Sequence, residues 1–467
     1  MAKSQTSKRD EEHELTRRAL MKWSLAAGAA LGVSRGKVIE ILEKTAGKGL
    51  ASAAAELPAN RSVHVFCGNG GHAWNQLLWP HYDIAAANNP NLSYHKPGQT
   101  KLAQGTKKPL AIGPDTPFAN LSPQKQITAF MCGNNETHTN APTSMVGLGG
   151  NNIFAVAAAL QAPAPSVVPV ITIGGAAYGT APGAPQATAV TAANGMVDLF
   201  NSAASRAGGL LSQSRDASLY KAHYDAFAQL NRAAERSTNK QSYLTASSAA
   251  SFLGTNLAAK LQIVPEDLTK YGITGNTRGN VAALGRALII TAKAFSMGLT
   301  NSVCVPGPQD DPHGAFNGTP GNRDVDVVPT QLKTILDAFY ADLTAKVDGA
   351  TMRPLANDFV MTFHGDTPKS PNTPGGWPDG TPNGSNWMYV LGNGHLYSGW
   401  FGGVDRNGNA KGFDANGNDA VYNAANTARI ATAAVAYAIA KGDDRSIAQF
   451  GANGIKIADV FGYAKVQ

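Results

Sequence analysis

An α/β protein with a mostly parallel central sheet flanked by helices is predicted by three features of this sequence. Short apolar runs alternate with long segments of helical spacing. Each run empties into a loop rich in glycine, asparagine, aspartate or histidine. No internal repeat and no convincing linker interrupts that alternation, which is the pattern of a sheet covered on both faces.

Each element has its own reason. Ser62-Val63-His64-Val65-Phe66 is β-rich and stops at Gly68-Asn69-Gly70-Gly71, as a first core strand should. Leu110-Ala111-Ile112 is a further short strand. Ile127-Thr128-Ala129-Phe130-Met131 reads either as a strand or as the start of a helix. Met145 to Leu160 is rich in small apolar residues with helical character, and a proline linker leads from it to a strand over Val167 to Ile173. Residues 195–235 and 240–265 read as helices. Asn280 to Ala294 is helical because Val281, Leu284, Leu288 and Ile289 share one face. Ser302 to Val305 is a short strand emptying into the loop Pro306 to Asn322. Pro329 to Val347 follows as an amphipathic helix carrying Leu332, Ile335, Phe339 and Leu343. Asp358 to Phe363 is a strand that runs into a loop rich in Pro, Gly and Asn, and Ala424 to Ala440 is a small-residue helix.

The N-terminus has the layout of an export signal. Arg17-Arg18 directly precedes a weakly apolar run from Trp23 to Leu31, after a polar, charged leader. That run is about ten residues, whereas a stable membrane span needs roughly twenty. The order of arginine pair, Lys22 and apolar run is that of a twin-arginine signal, an address for moving folded protein out of the bacterial cytoplasm. The rival reading is an ordinary amphipathic helix with a chance Arg-Arg pair. Residues 1–56 are therefore expected to form the signal and a linker helix, and residues 57–467 one elaborated domain of periplasmic or secreted location.

Composition narrows the function classes. Of 467 residues 43% are hydrophobic and only 15% charged, so amides, hydroxyls and alanine supply much of the surface. The formal charge of +7 is spread rather than gathered into a stripe, which argues against nucleic-acid binding. Cys67, Cys132 and Cys304 cannot all pair with one another and form no Cys-x-x-Cys. One long-range disulfide or three buried thiols both remain open.

Four polar segments are candidates for a site. Cys67 to Asn75 is glycine-rich without a nucleotide-binding spacing, and offers Asn69 and His72. Cys132 to Asn140 crowds Glu136, Thr137, His138 and Thr139 together. Here a hydroxyl becomes a nucleophile if a metal or base lowers its pKa. Gln309 to Gly314 brings Asp310, Asp311 and His313 together, and mixed carboxylate and imidazole donors suit zinc, manganese or iron better than calcium. Phe363 to Pro368 places His364 and Asp366 at a strand end. The runs Asp405 to Asn409 and Asp414 to Asp419 echo calcium loops but lack the closing Glu of an EF-hand, and Asn-Gly turns explain them without an ion.

Taken together these segments resemble a large family of exported bacterial proteins distantly related to sulfatases and alkaline phosphatases. The resemblance is carried by the twin-arginine leader, the Val63 to Pro80 stretch and Thr137-His138. Asp311-Pro312-His313, the strand into His364-Gly365-Asp366, and the runs 386–392 and 397–403 complete it. It implies an alkaline-phosphatase-like sheet with a metal-centred site at the strand ends. In that superfamily a Ser or Thr attacks a phosphate or sulfate ester beside clustered metals. Carried over, Thr137 or Thr139 attacks next to His138, and Asp311, His313, His364 and Asp366 hold one divalent metal, zinc or manganese. The chain departs from the pattern by offering Asn69 and His72 where an acid is common, and Gly384-Ser385-Asn386 where an Asp-His pair is expected. Two close dications need several carboxylates to offset their repulsion, so one metal or none suits these residues better.

Two functions follow as expectations. The first is an exported, metal-dependent ester hydrolase. The second is a catalytically inactive envelope protein that binds a glycan or partner protein, with the aromatics from Trp377 to Trp400 as its contact surface. The twin-arginine machinery is the partner common to both.

Overall fold

The computed structural model describes residues 61–66, 73–79, 101–102, 110–122, 125–134, 141–164, 166–200, 256–308, 311–348, 352–365, 369, 376–377, 385–405, 409–452 and 455. The chain divides into two units: residues 1–57, 163–167 and 195–262, and residues 58–162, 168–194 and 263–467. The second carries every described strand. The expected helices over 195–235 and 240–265 fall largely outside the described residues, as does the leader with Arg17 and Arg18.

The centre of the fold is β1, Arg61–Phe66, whose six residues are all buried. A strand enclosed on both faces has no reason to alternate, and Val63-His64-Val65-Phe66 accordingly reads as a nearly continuous apolar run. Its neighbours are β7, Ser302–Pro306, and β8, Phe359–His364, both parallel to it. Beyond β7 lie β5, Val170–Ile173, and β6, Thr188–Val190, again parallel. On the other side β9, Asn386–Leu391, runs antiparallel to β8 and to β4, Ile127–Cys132. Strand β10, Gly399–Phe401, closes that edge parallel to β4. The resulting eight-stranded sheet has the order β10-β4-β9-β8-β1-β7-β5-β6, with β9 alone reversed. The expected α/β class with a mostly parallel sheet is the one observed.

Helices cover both faces. On one, α2, Ile153–Gln161, and α8, Ala424–Ile439, pack together over Phe66, Phe130, Val360 and Met388. The alanine-rich surface of α8 allows a close approach. A Cβ on Gly147 would collide with the Ala428 carbonyl, so glycine is required there. After α3, Ala193–Leu199, α4, Leu257–Leu261, and α5, Pro265–Lys270, in chain order, the opposite face carries α6, Gly279–Ser296, and α7, Asp324–Ala345. Short α1, Asn75–Leu78, adjoins α7 there. Trp79 follows α1 and packs on Phe363 and Tyr389 at 5.0 Å each.

Two helices start elsewhere than expected. α2 begins at Ile153 because Gly149 and Gly150 take φ of 58° and 82°, and the Asn152 side chain then caps it by accepting from the Phe154 N–H. α7 begins upstream of Pro329, at Asp324. Acidic Asp324 and Asp326 in its first turn suit the positive end of the helix dipole, and Pro329 is tolerated inside. Leu110 to Ile112 contributes β3, Ala111–Ile112, which pairs only with β2, Lys101–Leu102, in a separate ribbon. Both calcium-like runs connect antiparallel strands of a small sheet formed by β11, Gly403–Val404, β12, Ala410–Phe413, and β13, Asp419–Val421. The Asp405 carboxylate accepts from the Asn409 N–H at 2.8 Å, and that of Asp414 accepts from Asn416 and Asn418 at 2.8 and 2.9 Å. These oxygens serve the turns. Cys304 is a buried free thiol, Cys132 is buried, and Cys67 lies outside the described residues.

The amino end of β1 is held by charge. Arg61, 3% exposed, donates to Asp348 at 2.7 Å and also to Asn301. Removing one partner of a buried ion pair leaves the other desolvated without compensation. Asp348→Ala is therefore expected to cost about 3–5 kcal/mol, read as a lowered urea midpoint with unchanged cooperativity.

Candidate functional site

The register gathers the polar loops at one edge. Phe66 lies opposite both Pro306 and His364, so β1, β7 and β8 end side by side. Cys132 lies opposite Asn386, so β4 ends where the reversed β9 begins. The segments beginning at Cys67, Cys132, Gly307 and Gly365 therefore all leave from the same rim, where open α/β sheets build their sites.

In the loop after β7, Asp311 and His313 do come together, but around a lysine. The Lys369 ammonium donates to Asp311 Oδ1 at 2.7 Å and reaches His313 Nε2 at 3.1 Å. His313 Nε2 lies 3.5 Å from the second carboxylate oxygen, and the His313 backbone N–H donates to Asp311 Oδ1 at 3.3 Å. His313 Nδ1 faces the Gly376 carbonyl at 3.2 Å. A carbonyl only accepts, so Nδ1 carries the proton and Nε2 presents its lone pair to the ammonium. The Lys369 side chain is 1% exposed, whereas that of His313 is 46% exposed at the rim. Partial burial pushes the Asp311 carboxyl up. The Lys369 hydrogen bond and charge, aided by His313, outweigh it and hold the group below its ordinary value.

Buried neighbours fix Lys369 in place. With its amide oxygen turned toward the donors, Gln76 accepts from the Lys369 backbone N–H at 3.0 Å and from Trp387 Nε1 at 2.9 Å, and donates to the Lys369 carbonyl at 3.2 Å. One amide thus makes the pair of bonds a neighbouring strand would make. Beside it Trp377, wholly buried, packs edge-on against Phe316 at 5.4 Å and near Trp74 at 6.2 Å. Of the aromatics expected to form a glycan or protein contact surface, Trp377, Trp387, Tyr389 and Trp400 are at most 4% exposed and belong to the core, whereas Tyr397 is half-buried.

His364 is directed elsewhere. Successive strand residues point to opposite faces. Phe363 packs on Trp79, on the side of Tyr389 and Trp387, whereas His364 packs on Phe154 of α2 at 5.2 Å. It is wholly buried, and its Nε2 lies 3.0 Å from the Thr362 hydroxyl. That hydroxyl also meets His64 Nδ1 at 2.8 Å, and the His64 ring stacks on Phe154 at 4.8 Å. The structure therefore joins Asp311 to His313 and sends His364 into the layer under α2. Asn69, His72, Glu136, Thr137, His138, Thr139, Asp310 and Asp366 lie outside the described residues. Among the described residues no three or more His, Cys, Asp or Glu side chains form a group placed to hold a metal ion.

Lys369, Gln76 and His64 carry much of this arrangement without having been expected to. For Lys369 the available signal was its isolation: it is the sole lysine between Lys346 and Lys411, in a loop leaving the rim. No protein-family model, curated protein or solved structure matches this chain.

Burial drives the His64 imidazole down from 6.5 to about 3. The unfolded chain therefore takes up a proton near pH 6.5 that the folded chain refuses until about pH 3, and stability falls as pH drops through that window. Wild type is expected to lose about 2 kcal/mol through this group between pH 7 and pH 5, and His64→Gln to lose correspondingly less. Urea unfolding of both proteins at the two pH values checks this.

Proposed function

We propose that this chain is an exported sulfatase/phosphatase-like protein with an alkaline-phosphatase-like fold, acting on a phosphate or sulfate ester at the rim formed by the carboxyl ends of β1, β4, β7 and β8. One observation carries the reading. A mostly parallel sheet with a single reversed strand ends β4 at Cys132 on the same edge from which the loop carrying Asp311 and His313 leaves β7. Periplasmic or secreted location, reached by the twin-arginine route through Arg17 and Arg18, belongs to the same proposal. Among the described residues no helix is long and apolar enough to cross a membrane.

The divalent metal implied by such a fold, zinc or manganese, does not fit the described donors. Asp311 and His313 supply one carboxylate and one imidazole, and Lys369 already meets both. The imidazole has one nitrogen toward a carbonyl and the other toward the ammonium, so His313 serves to position the rim rather than to move a proton. Nucleophilic attack falls to Thr137 or Thr139.

A second reading, an inactive envelope protein binding a glycan or partner, draws support from the same ammonium, which closes the Asp311–His313 pair to substrate chemistry. Turnover of aryl phosphate and aryl sulfate esters by protein purified after native export separates the two. The hydrolase reading expects hydrolysis that falls at least a hundredfold in Thr137→Ala or Thr139→Ala. Folded protein that turns over neither ester class leaves the binding reading.

A further inference from the structure

The loop after β8 supplies a cation where a metallohydrolase would recruit one. We propose that Lys369 is the resident cation of the strand-end site, its ammonium holding Asp311 and His313 in the place a divalent metal would take, so that the wild-type pair binds none. The inference rests on the rim site proposed above.

Three observations carry it. The ammonium lies within hydrogen-bond distance of both donors that a metal would use, Asp311 Oδ1 at 2.7 Å and His313 Nε2 at 3.1 Å. His313 turns its other nitrogen to the Gly376 carbonyl, which leaves the Nε2 lone pair aimed at Lys369. Lys369 is also built in. Its side chain is 1% exposed and Gln76 pins both polar groups of its backbone, so swinging the ammonium away would forfeit its bonds to Asp311 and His313. A dication entering here would meet a fixed ammonium already seated on the two donors. The chemistry is a substitution of one cation for another: an ammonium on the chain needs no uptake, supplies no Lewis acidity and lowers no water pKa.

The test is zinc uptake by the full-length exported protein, measured by equilibrium dialysis with zinc alone. Wild type and His313→Ala should retain equal zinc, because the site takes none in either. Lys369→Met keeps the length of the side chain and removes the charge. It should gain one equivalent of zinc that wild type does not retain. The gain should vanish in Lys369→Met/His313→Ala. Wild-type zinc that falls on His313→Ala substitution overturns the proposal, and so does folded Lys369→Met with no gain. If Lys369→Met does not fold, the comparison of wild type with His313→Ala still decides. Zinc stoichiometry is read without any turnover, so these results stand apart from the ester assays that test the proposed activity.

Discussion

The parallel pairing of β1 with both β7 and β8 is the constraint from which the rest of the molecule follows. All six residues of β1 are buried, and its carboxyl end lies level with Pro306 and His364. Enclosure on both faces is stabilising only if helices return to cover each side, which α2 with α8 and α6 with α7 do. Once those strands are level, the segments leaving them have one rim to share. The reversal of β9 adds to the effect, since it brings Asn386 back to the rim as a strand start. A buried guanidinium at the opposite end, Arg61 against Asp348, helps hold β1 in that register.

At the rim an electrostatic choice has been made. A lysine ammonium is costly to bury, and the cost is tolerated only where donors and acceptors meet it with good geometry. Asp311 supplies the charge, His313 a lone pair, and Gln76 the backbone restraint. The same arrangement that makes Lys369 tolerable in the interior occupies the donors of the neighbouring loop. Below the rim, on the α2 side, His64, Thr362 and His364 form a separate polar row sealed against Phe154. Both rows lie close to the strand ends, yet the alternation of strand side chains keeps their chemistry apart.

Much of the fold was legible because burial writes itself into composition. β1, β7, β8 and β5 are visible as apolar runs, α6 by its spacing and α8 by its small residues, with ends displaced by one or two residues except at β5, which starts three residues later than expected. Ile127 to Met131 in β4 fits strand or helix alike, being too short to show a period; pairing on both sides decides for strand. β9 was missed as a strand although its residues were noted, because Asn386-Trp387-Met388-Tyr389-Val390-Leu391 is buried throughout and shows no alternation. The same burial is why its aromatics were mistaken for a contact surface. In the site, Asp311 and His313 were readable from their proximity in the chain. Lys369 was not, since one lysine in a loop has no period, and only the fold reveals that its stem is enclosed. The parity of His364 with Thr362, and its register with Phe66, was present in the sequence in principle. Reading it required knowing which strands are neighbours.

Anomalous diffraction at the zinc edge from crystals of the full-length protein soaked in zinc addresses the central claim most directly. The account expects no anomalous peak between Asp311 and His313, with density for the Lys369 ammonium bridging the two side chains. A peak coordinated by Asp311 Oδ1 and His313 Nε2, with Lys369 turned away, would contradict it.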